Sequence, residues 1–284
     1  MSPSASPAGA AGTVAVGDRR VNRLGFGAMR ITGPGIWGPP RDRDEARRVL
    51  RRAVELGVDF IDTADSYGPD VSEELIAEAL SPYPEGLVIA TKGGLVRPGP
   101  GRWDADGRPE HLRAALEGSL KRLGVEQVTL YQLHRPDPAV PFEESVGELV
   151  RLRDEGKIAH IGLSNVSPSE LARAQALTPI ASVQNRYNPT DRGSEALVEA
   201  AERDGFAFIP WAPVGGQRPG EGRALAAVAG RHGVSPVQVA LAWQLARSPQ
   251  VLPIPGTSSV AHLEQNVAAA ALVLDAEDVE ALGA

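Results

Sequence analysis

Cysteine is absent from all 284 residues, which removes disulfides, thiolate metal sites and a cysteine nucleophile together. No apolar run approaches the ~20 residues a helix needs to cross a bilayer. No basic block stands out and the net charge is -7, so neither nucleic acid nor an anionic membrane surface is expected as a partner. Lysine is scarce: only three of the 29 Lys and Arg side chains are lysines. The first twelve residues are largely Ser, Pro, Ala and Gly, without a cationic start or a long apolar core. They read as a disordered tail, 1–12, rather than a secretory signal. A cytoplasmic protein is expected.

What is present is ordinary for a folded chain, with 42% apolar and 23% charged residues. Two average domains could fit, but barrels of alternating strands and helices use about 250 residues as one unit, so a single domain over 13–284 is expected. Residues 12–21 alternate around Gly17-Asp18 and predict a small hairpin that closes a barrel floor. Strands are then expected at 23–27, 58–62, 87–92, 127–133, 158–163, 180–184, 206–211 and 251–255. Helical spacing falls between them, as in Ala46, Val49, Leu50, Ala53 and Val54 before the stop at Gly57. Asp70-Val71-Ser72-Glu73 reads as a capping-box-like helix start. Eight strand-helix units predict an α/β fold, a (β/α)8 TIM barrel. An open doubly wound sheet would want Gly-x-Gly-x-x-Gly after its first strand, and Gly25-Phe26-Gly27 lacks the third glycine.

Parallel-strand enzymes place their chemistry at the carboxyl ends of the strands. The stretch Val58-Asp59-Phe60-Ile61-Asp62-Thr63-Ala64-Asp65-Ser66-Tyr67-Gly68 ends a strand at Asp62 and carries Tyr67 in the loop beyond. Lys92 and His134 end two further strands. A phenol has a pKa near ~10 and donates poorly at neutral pH. A neighbouring ammonium favours the phenolate, and a carboxylate keeps that lysine charged and oriented. Lys92 could instead form a Schiff base with a carbonyl, as in barrel aldolases. Asp62 weighs against that. His111, His160 and His232 read as structural, and no His/Asp/Glu spacing points to a metal. Amides and hydroxyls at Ser164, Asn165 and Gln184 can hold a neutral carboxamide, and Trp211 offers a flat stacking face. The loop 212–222, with Ala212, Pro213, Val214, Gly215 and Gly216, and the run Ile254-Pro255-Gly256-Thr257-Ser258-Ser259 before a helix suit phosphate groups.

Six motifs in order, D-T-A-x-x-Y-G, T-K, Y-x-L-H, I-G-L-S-N, Q-N-x-Y-N and I-P-G-T-S-S, make the chain resemble the aldo-keto reductases from Val21 onwards. The resemblance implies that Asp62, Tyr67, Lys92 and His134 are a catalytic tetrad. It implies that NADPH lies across the barrel mouth, touching Ala28 and Met29, with its adenosine end at His262, Gln265 and Asn266. Many NADPH-specific relatives carry Lys and Arg where this chain has Gly256 and His262, which leaves NADH open. The 33–42 loop and the 254–263 stretch look most like the branch that includes pyridoxal reductases, also called pyridoxine 4-dehydrogenases. That implies an aromatic aldehyde bordered by Arg30, Trp37 and Trp103, reduced by a monomer. The rival from another class is a nicotinamide-holding, redox-sensing subunit like the beta subunits of potassium channels.

Overall fold

The computed structural model describes residues 6–214 and 222–283. An antiparallel hairpin comes first, β1 (Thr13–Val16) and β2 (Arg19–Asn22), turning through Gly17 at φ 62°, a left-handed conformation that glycine adopts without a Cβ clash. Parallel strands follow: β3 (Phe26–Gly27), β4 (Phe60–Asp62) and β5 (Val88–Gly93). After a short antiparallel pair, β6 (Leu95–Val96) and β7 (Asp104–Ala105), come β8 (Val128–Leu133), β9 (Ile158–Ser164), β10 (Ser182–Gln184) and β11 (Ala207–Phe208). The seven parallel strands neighbour one another in chain order from β3 to β11.

Residues 250–253 take the eighth place. Phe208 bridges Val251 in parallel, Leu252 N–H donates to Phe208 O at 2.8 Å, and Gly25 N–H donates to Pro253 O at 2.9 Å. The last strand is thereby joined to the first, and the sheet closes as a (β/α)8 barrel. A full strand over 251–255 does not form. Pro253 and Pro255 lack the N–H a ladder needs, so pairing stops at one bridge.

Helices pack outside: α1 (Arg43–Glu55), α2 (Val71–Leu80), α3 (Pro109–Leu123), α4 (Phe142–Asp154), α5 (Pro168–Gln175), α6 (Glu195–Asp204), α7 (Gly222–His232), α8 (Pro236–Arg247), α9 (Val260–Ala268) and α10 (Ala276–Ala281). Five of these, α1, α5, α8, α9 and α10, start where a side chain covers an orphan N–H. Asp42 accepts from Glu45 N–H, and Ser167 with Glu170 makes a reciprocal box at α5. The capping expectation at α2 is corrected. Asp70 sits at φ 68° without a capping bond, its carboxylate faces Arg122 at 3.1 Å, and Glu73 is fully buried between Thr91 and Arg122.

Period-two alternation sorts the strands into two cores. Phe60, Val88, Ala90, Leu130, Ala207, Ile209, Leu252 and Ile254 face the barrel interior, where Val14, Val16 and Val21 of the hairpin join them. Ile61, Ile89, Tyr131, Leu133 and Leu163 face the helices. The tail expectation is corrected for residues 8–12. Ala8–Ala11 form a 3-10 turn, Ala8 is buried with its N–H on Leu56 O at 3.0 Å, and Gly12 O accepts from Arg23 N–H. Residues 1–5 lie outside the described residues.

Candidate active site

The alternation that sends Phe60, Ala90 and Leu130 inward sends the next inward positions, Asp62, Lys92 and Gln132, to the carboxyl rim of the same lumen. There the side chains change from apolar to polar. Lys92 Nζ donates to Asp62 Oδ2 at 2.6 Å, to Thr63 O at 2.9 Å and to Tyr67 Oη at 3.2 Å. Lys92 is fully buried, and Asp62 and Tyr67 nearly so. The Tyr67 ring meets His134 edge-on at 5.7 Å between centroids and Trp103 at 6.3 Å. Three strand-end residues and one loop tyrosine, spread over 72 positions in the chain, thus share one buried cluster.

Asp62 is held from its other side as well. Gln184 Nε2 donates to Asp62 Oδ1 at 2.8 Å and Gln132 Nε2 to the same oxygen at 3.1 Å. Gln132 escapes sequence reading because an amide inside a strand carries no motif. Its place two residues before His134, on the same inward face, is the signal that could have found it.

Electrostatics follow from burial and neighbours. Burial works against the Lys92 ammonium, but the Asp62 charge, Tyr67 and their hydrogen bonds outweigh it and hold its pKa above the usual lysine value. For Tyr67, burial raises the phenol and Lys92 lowers it; burial wins and the net shift is upward. Burial, with Lys92 and Arg135 nearby, drives the His134 pKa well below the imidazole range. The ring is therefore neutral at pH 7, with Nδ1 at 3.3 Å from Ser66 Oγ.

Of the residues expected around a cofactor, Ser164, Asn165, Gln184 and Trp211 stand at or shortly past the carboxyl ends of β9, β10 and β11. Asn165, at φ 58° just past β9, spends its amide inside the protein: Nδ2 donates to His134 O and Ser164 Oγ, each at 3.0 Å, and Oδ1 accepts from Trp211 Nε1 at 3.1 Å. Through that last bond it holds the Trp211 indole in place. Trp211 is half-buried, with the Arg186 guanidinium 5.5 Å from its ring. Ala212 follows at φ 51°, and its carbonyl accepts from Asn188 while that of Pro213 accepts from Gln244 at 2.6 Å. Val214 is exposed. Gly215 and Gly216 lie outside the described residues.

Next around the same rim, Ala28 is buried and Met29 half-buried in a 3-10 turn that follows β3. Ile254 is buried, Thr257 and Asn266 are nearly so, and Gly256, Ser258, His262 and Gln265 are exposed. A Cβ on Gly256 would stand 2.5 Å from Gly27 O, so only glycine lets these two backbones meet. Arg30 is exposed, with its Cγ 3.5 Å from the same point. The start of α9 is partly filled: Val260 N–H donates to Glu45 Oε1 at 3.1 Å and His262 N–H to Ser259 Oγ at 3.5 Å. Trp37 pairs with Gly68, directly after Tyr67. Among the described residues no group of acidic, His or Cys side chains could hold a metal ion, and no helix is long and apolar enough to cross a membrane.

Comparison with known proteins agrees with this geometry. A family model described as the aldo/keto reductase family matches residues 23–284. An uncharacterized oxidoreductase of Schizosaccharomyces pombe is 51% identical over 275 residues, covering 96% of this chain and 90% of its own. The pyridoxine 4-dehydrogenase of Escherichia coli is 44% identical over 277 residues, covering 95% and 96%. A crystal structure of an aldo/keto reductase from Klebsiella pneumoniae, in complex with NADP and acetate, superposes with a TM-score of 0.80 at 27% identity, covering 95% and 93%.

Proposed function

The chain belongs to the aldo/keto reductase family, an NAD(P)H-dependent oxidoreductase family, and on that premise we propose that it reduces an aromatic aldehyde to the alcohol with NADPH. The observation that carries the reading is the buried Lys92 ammonium touching both the Asp62 carboxylate and the Tyr67 hydroxyl.

In this reading the mouth holds the dinucleotide. Ser164, Asn165 and Gln184 would hold its carboxamide, and the half-buried Trp211 would stack on its planar ring. Gly256, without a side chain, and the hydroxyls of Thr257 and Ser258 border a phosphate path that ends at His262, Gln265 and Asn266. When bound, NADPH supplies the hydride for the carbonyl carbon. The protein supplies the rest. Neutral His134, with Nδ1 at Ser66, keeps Nε2 to donate to the carbonyl oxygen and orient it. Tyr67 gives its proton to that oxygen as the alcohol forms. Lys92 then faces a phenolate, which its charge stabilises, while Asp62, gripped by Gln132 and Gln184, keeps Lys92 in place. A positioned acid of this kind is worth about 10²–10⁴-fold in rate.

Two further features support an aromatic substrate: Trp103 stands edge-on to Tyr67, and Trp37 is fixed beside Gly68. The 44% identical relative named pyridoxine 4-dehydrogenase makes pyridoxal the first aldehyde to test. The same reading takes residues 13–284 as one catalytic unit working as a monomer. Loss of NADPH absorbance with a panel of aldehydes that includes pyridoxal tests it. Multiple turnover is expected, and a panel without any turnover contradicts it. An aldolase role for Lys92 is disfavoured by its raised pKa; borohydride with substrate should leave Lys92 unmodified.

A further inference from the structure

We infer that Arg97 is a positioning residue that clamps three loops over the barrel mouth and so fixes Trp103 and Ser66 beside Tyr67; the role in catalysis rests on the reductase reading above. Arg97 stands one residue beyond β6. Its Nε donates to Arg102 O at 2.8 Å, closing its own hairpin. Nη1 donates to Ile36 O at 2.9 Å and to Ser66 O at 3.0 Å, and Nη2 to Gly35 O at 3.3 Å. The guanidinium carbon lies 3.5 Å from the Trp103 ring centroid and 5.5 Å from that of Trp37.

Four of the five guanidinium N–H groups are thus spent on carbonyls from three separate segments. Little donor capacity is left for a substrate anion, which separates this residue from an anion-binding arginine. The planar fork matters, because only a rigid set of donors reaches all of these carbonyls at once while its face stacks on an indole. A lysine keeps the charge as a single point and cannot span them.

Two neighbours give the clamp its purpose. Ile36, a β-branched residue, is held at φ 58°, and Gly35 at φ 70°. A β-branched residue in the left-handed region persists only where surroundings enforce it, and Arg97 holds the carbonyls of both. Ser66, whose carbonyl Arg97 holds, places its own hydroxyl on His134 Nδ1 and precedes Tyr67. Arg97 therefore acts on the acid and on the carbonyl-orienting imidazole through Ser66, and on the aromatic wall through Trp103.

The test compares Arg97→Lys and Arg97→Gln with the parent on benzaldehyde and on 4-carboxybenzaldehyde, alongside hydrogen-deuterium exchange of the whole chain. Both variants should raise KM about tenfold or more, as expected for a site loosened by less than an ångström, and by the same factor for the two aldehydes. The Kd for NADPH should stay within about twofold, since the clamp touches none of the proposed cofactor contacts. Exchange should rise together in peptides spanning 33–40, 63–70 and 95–105, the three segments that Arg97 bonds, and not elsewhere. A lysine variant with parental KM and parental exchange overturns the proposal. A loss confined to the carboxylated aldehyde overturns it too, since Arg97 would then be a substrate contact. Exchange rising throughout the barrel with KM unchanged would mark a merely structural residue. If the parent reduces no aldehyde, the reductase reading fails, and the exchange pattern alone still decides whether the clamp exists.

Discussion

Thr91 and Lys92 are neighbours on β5 that face opposite ways, and each meets a buried carboxylate. Inside the lumen, Lys92 pairs with Asp62 at 2.6 Å. On the helix side, Thr91 donates to Glu73, whose other oxygen pairs with Arg122 at 2.6 Å. Both faces carry a carboxylate-cation pair with the carboxylate out of water. Among the described residues, the inner pair is the one whose cation donates to a phenol, Tyr67, at 3.2 Å. A buried ion pair is therefore not a catalytic signature in itself. What distinguishes the inner pair is the third group it leaves poised. Asp65 makes the contrast sharper: it is buried, its Oδ1 has no hydrogen-bond partner among the described residues, and burial together with the Glu73 charge pushes its pKa up to about 8.

The comparison can be broken from either face. Lys92→Met should act on both levels at once, stranding the Asp62 charge at a cost of about 3–5 kcal/mol in stability and removing the support for the Tyr67 acid. Chemical denaturation and steady-state kinetics read the two losses. Arg122→Met strands Glu73 instead and should cost stability of about 3 kcal/mol while leaving kcat near the parental value. A large fall in kcat there would erase the distinction drawn between the faces.

Asp65→Asn sharpens it through pH. The folded pKa of Asp65 lies above its ordinary 3.8, so the native state keeps a proton that the unfolded chain has lost. Its contribution is therefore fully favourable at low pH and is lost as pH rises from about 4 to about 8, with a slope approaching 1.4 kcal/mol per unit. The asparagine variant should lack that loss, so its Tm advantage over the parent should grow between pH 5 and pH 8. Equal Tm profiles would contradict the assignment. Smallest of all, Gln132→Met removes one of two amide donors on Asp62 and should lower kcat by no more than about tenfold, the worth of one hydrogen bond.

Much of this was legible in the chain. Asp62, Lys92 and His134 each end an apolar run, and burial of such runs side by side brings their ends to one rim. Tyr67 follows because its loop is short. The rest depended on contacts that no local pattern encodes. Asp70 and Glu73 have the spacing of a helix start, yet Arg122, 49 positions after Glu73, outcompetes the helix N–H groups for them. Ala8 sits in a low-complexity stretch that looks unstructured, but it has Leu56 O to bond and a buried place to fill. The apolar residues of 251–255 announce a strand, and the prolines among them decide how little of it pairs. Arg97 is one arginine among many, and only the fold reveals that three loops converge on it.

In the proposed mechanism Tyr67, held by Lys92, donates the proton to the carbonyl oxygen. Single-turnover reduction by Tyr67→Phe, measured beside its NADPH Kd, tests this most directly. The expected rate is lower by about 10²–10⁴-fold with cofactor affinity nearly unchanged. A phenylalanine variant that reduces aldehyde at close to the parental rate would contradict it.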